Sequence, residues 1–199
     1  MAPVVIDPAR VHPFEDADAF HAWLARNHDR EPEVWIKVHK KASGLTSITP
    51  TEAIDVVLCW GWIDGIRKSL DEKSFLQRYS PRGRKSVWSQ INVDNVARLI
   101  AEGRMTAHGL AQVEAAKADG RWDAAYRVKG ATVPDDLQAA IDADPAAKAM
   151  FATLSAQNRF ALIFRTEAMK TDAGRARKVA GFVDMLRRGE TIHPQGKAS

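Results

Sequence analysis

Two hydrophobic periodicities divide the chain. Over residues 33 to 41 (EVWIKVHKK) apolar and polar positions alternate, Val34, Ile36 and Val38 facing one way and Trp35, Lys37 and His39 the other. That is the period-two pattern of a strand with one buried face. Trp62 to Arg67 and Ser74 to Tyr79 read as two further strands, joined into a hairpin by the polar loop Asp71-Glu72-Lys73. Val4-Val5-Ile6, β-branched and closed by Asp7-Pro8, predicts an edge strand. From Asn92 onward the apolar spacing becomes helical: Val93, Val96, Leu99 and Ile100, then Leu110, Val113 and Ala116, and later Phe160, Ile163, Phe164 and Val179, Phe182, Val183, Leu186.

Punctuation residues set the element boundaries. Phe20, Trp23 and Leu24 predict a helix from Asp16 to about Asn27, with His21 and Arg26 elsewhere on its wheel. Ala42-Ser43-Gly44 makes a turn. Thr49-Pro50-Thr51-Glu52 then carries a capping box with proline at the first helical position, opening a helix that buries Ala53, Ile54, Val57 and Leu58 and stops at Trp60-Gly61. Ser80-Pro81-Arg82-Gly83-Arg84-Lys85 breaks regular structure, Gly103 and Gly120 mark helix stops, and Asp135 and Asp144 are N-cap candidates. Strands early and helices late predict an α+β fold: a small mixed or antiparallel sheet with helices in the N-terminal half, and an all-helical C-terminal half. The expected division is an α+β domain over 1–130 that holds the site, and a helical segment over 131–199 packing on it. Gly130 to Pro134 is the expected linker, and the tail from Gly189 to Ser199 is expected to fray.

Composition narrows the class. With 199 residues, 45% hydrophobic and 27% charged, the chain is long enough to bury a core without staples. One cysteine forms no internal disulfide and suits a reducing compartment. The N-terminus has no basic stretch followed by an apolar run, and no apolar stretch is long enough to span a bilayer, so the expected location is the cytoplasm with no transmembrane segment. The net charge of +4, from 29 basic and 25 acidic residues, is a mild excess that suits a solvated surface as well as an anionic partner.

Most catalytic signatures are missing. Cys59 lies at the C-terminal end of its helix, where the dipole disfavours a thiolate, and reads as a buried structural cysteine. The histidines at 12, 21, 28, 39, 108 and 193 form no pair at metal-ligand spacing, so no metal is expected. GxGxxG, GxxxxGK[ST] and GxSxG are all lacking, and no cofactor is expected.

What remains lies around residues 59 to 89. Lys40, Lys41, Asp64, Arg67, Arg78, Arg82, Arg84 and Lys85 accompany Trp60, Trp62, Tyr79 and Trp88. Residues two apart on a strand share a face, so Trp62, Asp64 and Ile66 are expected on one side of the sheet, with Arg78 pairing the aspartate. Two readings follow. One is a fold-stabilising ion pair under an aromatic lid. The other is an anion-binding groove in which Arg82, Arg84 and Lys85 meet phosphate or carboxylate groups while Trp88 or Tyr79 stacks on a ring. A second basic cluster, Arg165, Lys170, Arg175, Arg177 and Lys178, lies between apolar helix positions and reads as a solvated face.

The stretches KKASG, TEAIDVVLCWGWIDG, RYSPRGRKSVWSQIN, LIAEGRM and GLAQVEAAKADGRWDAAY, with RFALIFRTEAMK and RARKVAGFVDMLRRGE near the end, resemble the bacteriocin-protection family, also called OmpD-associated or YdeI-like. The resemblance implies a role in bacterial tolerance of antimicrobial peptides and envelope stress; no reaction and no catalytic residues come with it. The expected activity is binding of an anionic small molecule or acidic protein partner through Arg78, Arg82 and Arg84. Capture of a cationic peptide on that face is disfavoured by like charge. Nucleic-acid binding through the 78 to 88 turn, and an enzyme using Asp64 as general acid or base, are the alternatives.

Overall fold

The capping box opens the helix around which the N-terminal half is built. Thr49 Oγ1 accepts from the Glu52 amide at 3.3 Å, the Glu52 carboxylate accepts from the Thr49 amide at 2.8 Å, and Pro50 takes the first helical position. The helix ends at Cys59, and Gly61 continues in the left-handed conformation that only glycine adopts freely. The computed structural model describes residues 4 to 128 and 130 to 195. Its contacts divide into two units, Met1–Tyr126 and Arg127–Ser199.

The fold is α+β, with every strand of the described residues in the first unit. Strands β1 (Val11–His12), β2 (Val34–His39), β3 (Trp62–Ser69) and β4 (Ser74–Pro81) form one mixed sheet in the order β1-β2-β4-β3. β1 runs parallel to β2, and the other two pairs are antiparallel. The hairpin expected over 62 to 79 is present. Helix α1 (Ala17–Asn27) and helix α2 (Pro50–Cys59) cover the sheet, with Phe20, Leu24, Val34, Ile36, Val38, Val56, Val57, Trp62 and Tyr79 in one core. A second core joins Leu58 and Cys59 to Trp88 and to helices α3 (Gln90–Ala101) and α4 (Ala107–Ala118) through Val96, Leu99, Val113 and Ala116. Between two cores, α2 is buried almost all round, and Val56, Val57 and Leu58 each contribute roughly 1.5–3 kcal/mol.

Several expectations are corrected. Val4 to Ile6 form no strand, and Val5 is 88% exposed. Instead the Asp7 carboxylate accepts from the Ala9 amide at 2.9 Å and caps the 3-10 turn that leads into β1. β2 is buried on both faces at Trp35, whose indole donates to Glu33 at 3.1 Å. On β3 the alternation breaks. Register shifts between Asp64 and Arg67, and the side chain of Gln77, 4% exposed, donates to the freed carbonyls of Gly65 at 3.0 Å and Ile66 at 3.4 Å. Trp62 is therefore buried while Asp64 and Ile66 face solvent. Ile54 is half-buried, and Ile100 and Leu110 are exposed rather than in the core, each lying at the margin of its helical stripe.

The α4 start closes on the α2 end. Thr106 donates from both its amide and its hydroxyl to the Cys59 carbonyl, at 3.2 and 2.6 Å, and Gly109 lets the backbones approach so closely that a Cβ there would overlap that carbonyl.

The second unit holds helices α5 (Asp135–Asp142), α6 (Pro145–Ala152), α7 (Ala156–Glu167) and α8 (Asp172–Arg187) around Leu137, Ile141, Leu154, Leu162, Val179, Phe182 and Leu186. Asp144 caps α6 as expected, accepting from Ala147 at 2.9 Å, but Pro134 holds the N-cap position of α5 and Asp135 is its first residue. The tail does not fray where it is described. Asn158, fully buried, donates to the His193 carbonyl at 3.0 Å and accepts from the His193 amide at 2.9 Å, and Gln195 accepts from the Ser155 amide at 3.0 Å. Residues 196 to 199 lie outside the described residues. No described helix is long and apolar enough to cross a membrane.

Candidate functional site

Arg82 leaves β4 at Pro81 with its amide donating to the Gly61 carbonyl at 3.0 Å, and this sends its side chain inward. The guanidinium carbon lies over the Trp88 ring, 3.6 Å from the centroid; Arg82 is 6% exposed and Trp88 2%. Nη1 donates to the Val87 carbonyl at 3.3 Å. Nε and Nη2 are buried and find no acceptor among the described residues, and neither does the Trp88 Nε1. Buried polar groups are ordinarily hydrogen-bonded. Here the Nε and Nη2 pair is the side-on edge that arginine offers to a carboxylate or phosphate. Burial pulls Arg82 down to about 10, against the Asp64 charge, which favours the cation, and together with Arg121, which disfavours it.

The surroundings are knit by backbone. Tyr126 donates from its amide to the Trp88 carbonyl at 3.0 Å and accepts from the Gln90 amide at 2.8 Å, a parallel bridge beside Ser89. Trp122 packs edge-on to Trp88 at 4.9 Å. Burial and the Asp64 charge push both the Tyr79 and the Tyr126 phenols up. Asp64 thus acts electrostatically on Arg82 and on two tyrosines. The loop from Gly83 to Val87 closes on itself, Ser86 N to Gly83 O at 2.9 Å and Gly83 N to Ser86 Oγ at 3.0 Å. Arg121 holds it from outside, donating to the Ser86 carbonyl at 3.0 Å and to Asp119 at 2.8 and 2.9 Å.

The structure gathers Asp64, Tyr79, Arg82 and Trp88 and separates the other sequence candidates. Arg78 does not pair with Asp64. It donates to Glu33 at 2.6 Å, because across the antiparallel ladder Asp64 stands opposite Tyr79 while Arg78 stands opposite Trp35, whose indole holds the same Glu33. Tyr79 is a core residue, 5.8 Å from Phe20, and the Trp88 face is occupied by Arg82, so neither offers a ring for stacking. Arg67 covers Phe75 at 4.2 Å and donates to Gln77 at 3.0 Å. Trp62 is core, its indole donating to the His28 carbonyl at 3.3 Å. Lys41 sits exposed in a 3-10 turn, and Arg84 and Lys85 are exposed on the loop that covers Arg82. Tyr126 and Arg121 had no sequence signal, since their chain distance from Arg82 hides the contact.

Trp60 belongs to a different group. It packs with His28 at 4.8 Å, His21 at 5.2 Å and His108 at 5.8 Å, and the His28 and His108 rings lie 3.9 Å apart. Among the described residues no three His, Cys, Asp or Glu side chains are grouped to hold a metal ion. Cys59 floors a cleft of about 340 Å³ with Asp18, His21 and Arg104 at its walls. Burial pushes its thiol up to about 11, which keeps it protonated and poorly nucleophilic. In the second unit Arg175 is bidentate to Asp136 at 2.6 and 2.8 Å, so that basic cluster is partly neutralised.

Residues 12–112 match a family described as a domain of unknown function (DUF8412). Residues 130–189 match the family described as bacteriocin-protection, YdeI or OmpD-associated. The stretches RFALIFRTEAMK and RARKVAGFVDMLRRGE fall in or at the edge of the second match, whereas most of the earlier stretches fall in the first. No curated protein and no solved structure matches the chain.

Proposed function

Because the chain belongs, through residues 12–112, to the family described as a domain of unknown function (DUF8412), its role has to be read from its own site, and we propose that it is a binding protein of bacteriocin protection that takes an anion at Arg82. The match over residues 130–189 supports the resistance setting. The lone, buried Cys59 supports work in a reducing compartment.

One observation carries the binding role: a buried arginine with its guanidinium over the Trp88 ring, whose side-on N–H pair lacks an acceptor among the described residues. Leaving such donors unmade costs stability, about 1–3 kcal/mol or more where charge is involved, so a partner that fills them is favoured. Arg84 and Lys85 on the covering loop add positive potential at the approach. The occupied Trp88 face favours a discrete anion over a stacked nucleic-acid base.

The test is a thermal-shift panel of organic acids, phosphates and short oligonucleotides on the wild type and on Arg82→Gln. An anion that raises the melting temperature of the wild type but not of the variant supports the reading. Absence of any Arg82-dependent shift makes the stack a piece of scaffold.

A further inference from the structure

Charge matching separates the anions that this fork accepts. A carboxylate brings one negative charge to one guanidinium, whereas a phosphate monoester brings about 1.5 to 2 at pH 7. The Asp64 carboxylate already acts on the same guanidinium. A dianion there would exceed the one charge of the fork, and Arg121, the other cation acting on it, is already paired with Asp119, so part of the negative charge would be buried uncompensated.

The backbone separates them again. Phosphate sites gather free N–H groups at glycine loops or helix N-termini. Around Arg82 three of those groups are committed: Arg82 N to the Gly61 carbonyl at 3.0 Å, Gly83 N to Ser86 Oγ at 3.0 Å, and Ser86 N to the Gly83 carbonyl at 2.9 Å. The buried side-chain donors left over are Trp88 Nε1 and a flat pair on Arg82, Nε and Nη2, the pair being matched to two oxygens in one plane.

We infer that the Arg82 fork is a site for a small monocarboxylate, an inference that rests on the anion-binding reading above. Both nitrogens are closed from solvent, so the ligand enters by lifting the 83–87 loop, against the Nη1 bond to Val87 O at 3.3 Å and the Arg121 bond to the Ser86 carbonyl at 3.0 Å. The bound carboxylate then makes two charge-assisted hydrogen bonds to Nε and Nη2. Trp88, in contact with the guanidinium, reports the event by its fluorescence. Asp64 competes with the ligand for the same cation and weakens its binding.

The experiment is an equilibrium titration of the full chain at constant ionic strength, followed by tryptophan fluorescence and melting temperature. The probes are acetate, propionate, benzoate, inorganic phosphate, phenyl phosphate and the neutral benzamide. The proteins are the wild type, Arg82→Lys, Arg82→Gln and Asp64→Asn. At least one monocarboxylate is expected to bind about tenfold or more tightly than either phosphate, and to weaken by about tenfold or more in both Arg82 variants, because lysine offers charge without the fork. Asp64→Asn is expected to tighten carboxylate binding severalfold. Should the Arg82 variants fail to fold, the carboxylate-to-phosphate ratio of the wild type and the response of Asp64→Asn, a change at an exposed side chain, decide the matter. Phosphates that bind equally well or better through Arg82 would overturn the carboxylate inference and leave the anion-binding reading standing. No Arg82-dependent response to any probe would overturn both.

Discussion

The Arg98 guanidinium holds both oxygens of the Asp55 carboxylate, at 2.6 and 2.7 Å, and so ties α3 to α2. Asp55 is 9% exposed in the middle of a helix that is otherwise apolar on its buried sides. Glu102 accepts from Arg98 at 2.9 Å and from Arg104 at 3.1 Å, which extends the network to the end of α3. Asp55→Asn removes the charge that Arg98 grips without changing volume. The expected loss of stability is about 2 kcal/mol, the range for a hydrogen bond to a charged group, measured by urea denaturation.

Glu33 gives the first unit an acid-sensitive contact. Burial works to raise its carboxyl, and the hydrogen bonds from Arg78 and Trp35 overcome that and hold it below the ordinary value. A folded-state value below the unfolded one means that this contribution is fully present above the usual glutamate range, about 4.3, and disappears as pH falls through the folded value. Melting temperature against pH should therefore decline on the acid side. Glu33→Gln should lower it at neutral pH and flatten the acid limb. An unchanged acid limb would show that other carboxylates govern acid unfolding.

Cys59 should behave as a closed thiol. With burial pushing it up to about 11, the thiolate fraction at pH 8 falls roughly 100-fold below that of a free cysteine. Iodoacetamide at pH 8 should modify the native chain more slowly by at least that factor than the chain in denaturant, with mass spectrometry as the readout.

Gly109 is the tightest point of the helix crossing. A methyl group there meets the carbonyls of Leu58 and Cys59, which are backbone and cannot step aside without moving the end of α2. Gly109→Ala should cost about 1–3 kcal/mol as an overpacking change, even though alanine is the better helix former. Gly181, which has open space around it on α8, serves as the control: alanine there should be neutral or stabilising.

What could be read from the residues was local. The capping box needs four consecutive residues, the hairpin needs two strands and their loop, and the stripe of Val34, Ile36 and Val38 needs one strand, so all three were legible. The Arg78 partner was not. Choosing Glu33 over Asp64 depends on the register of β2 against β4, which no local pattern encodes. Asp64, Arg82 and Trp88 were singled out from their residue types, but the stacking of Arg82 on Trp88 reversed the expected use of the ring. Tyr126 joins the site only because a bridge brings residue 126 beside residue 89. The motif-level signal named the neighbourhood, and long-range pairing decided its chemistry.

The kink between Asp64 and Arg67 has a bearing on how the molecule behaves at high concentration. β3 is the long outer strand of the sheet, and a straight outer strand invites copies of a chain to zip together and grow into fibres. Gly65 and Ile66 interrupt that rail, and the amide of Gln77 occupies carbonyl oxygens on which the distortion depends. A single buried glutamine thus braces the kink that breaks the outer edge of the sheet. Leucine in its place would leave those carbonyls unanswered and let the strand straighten into a template.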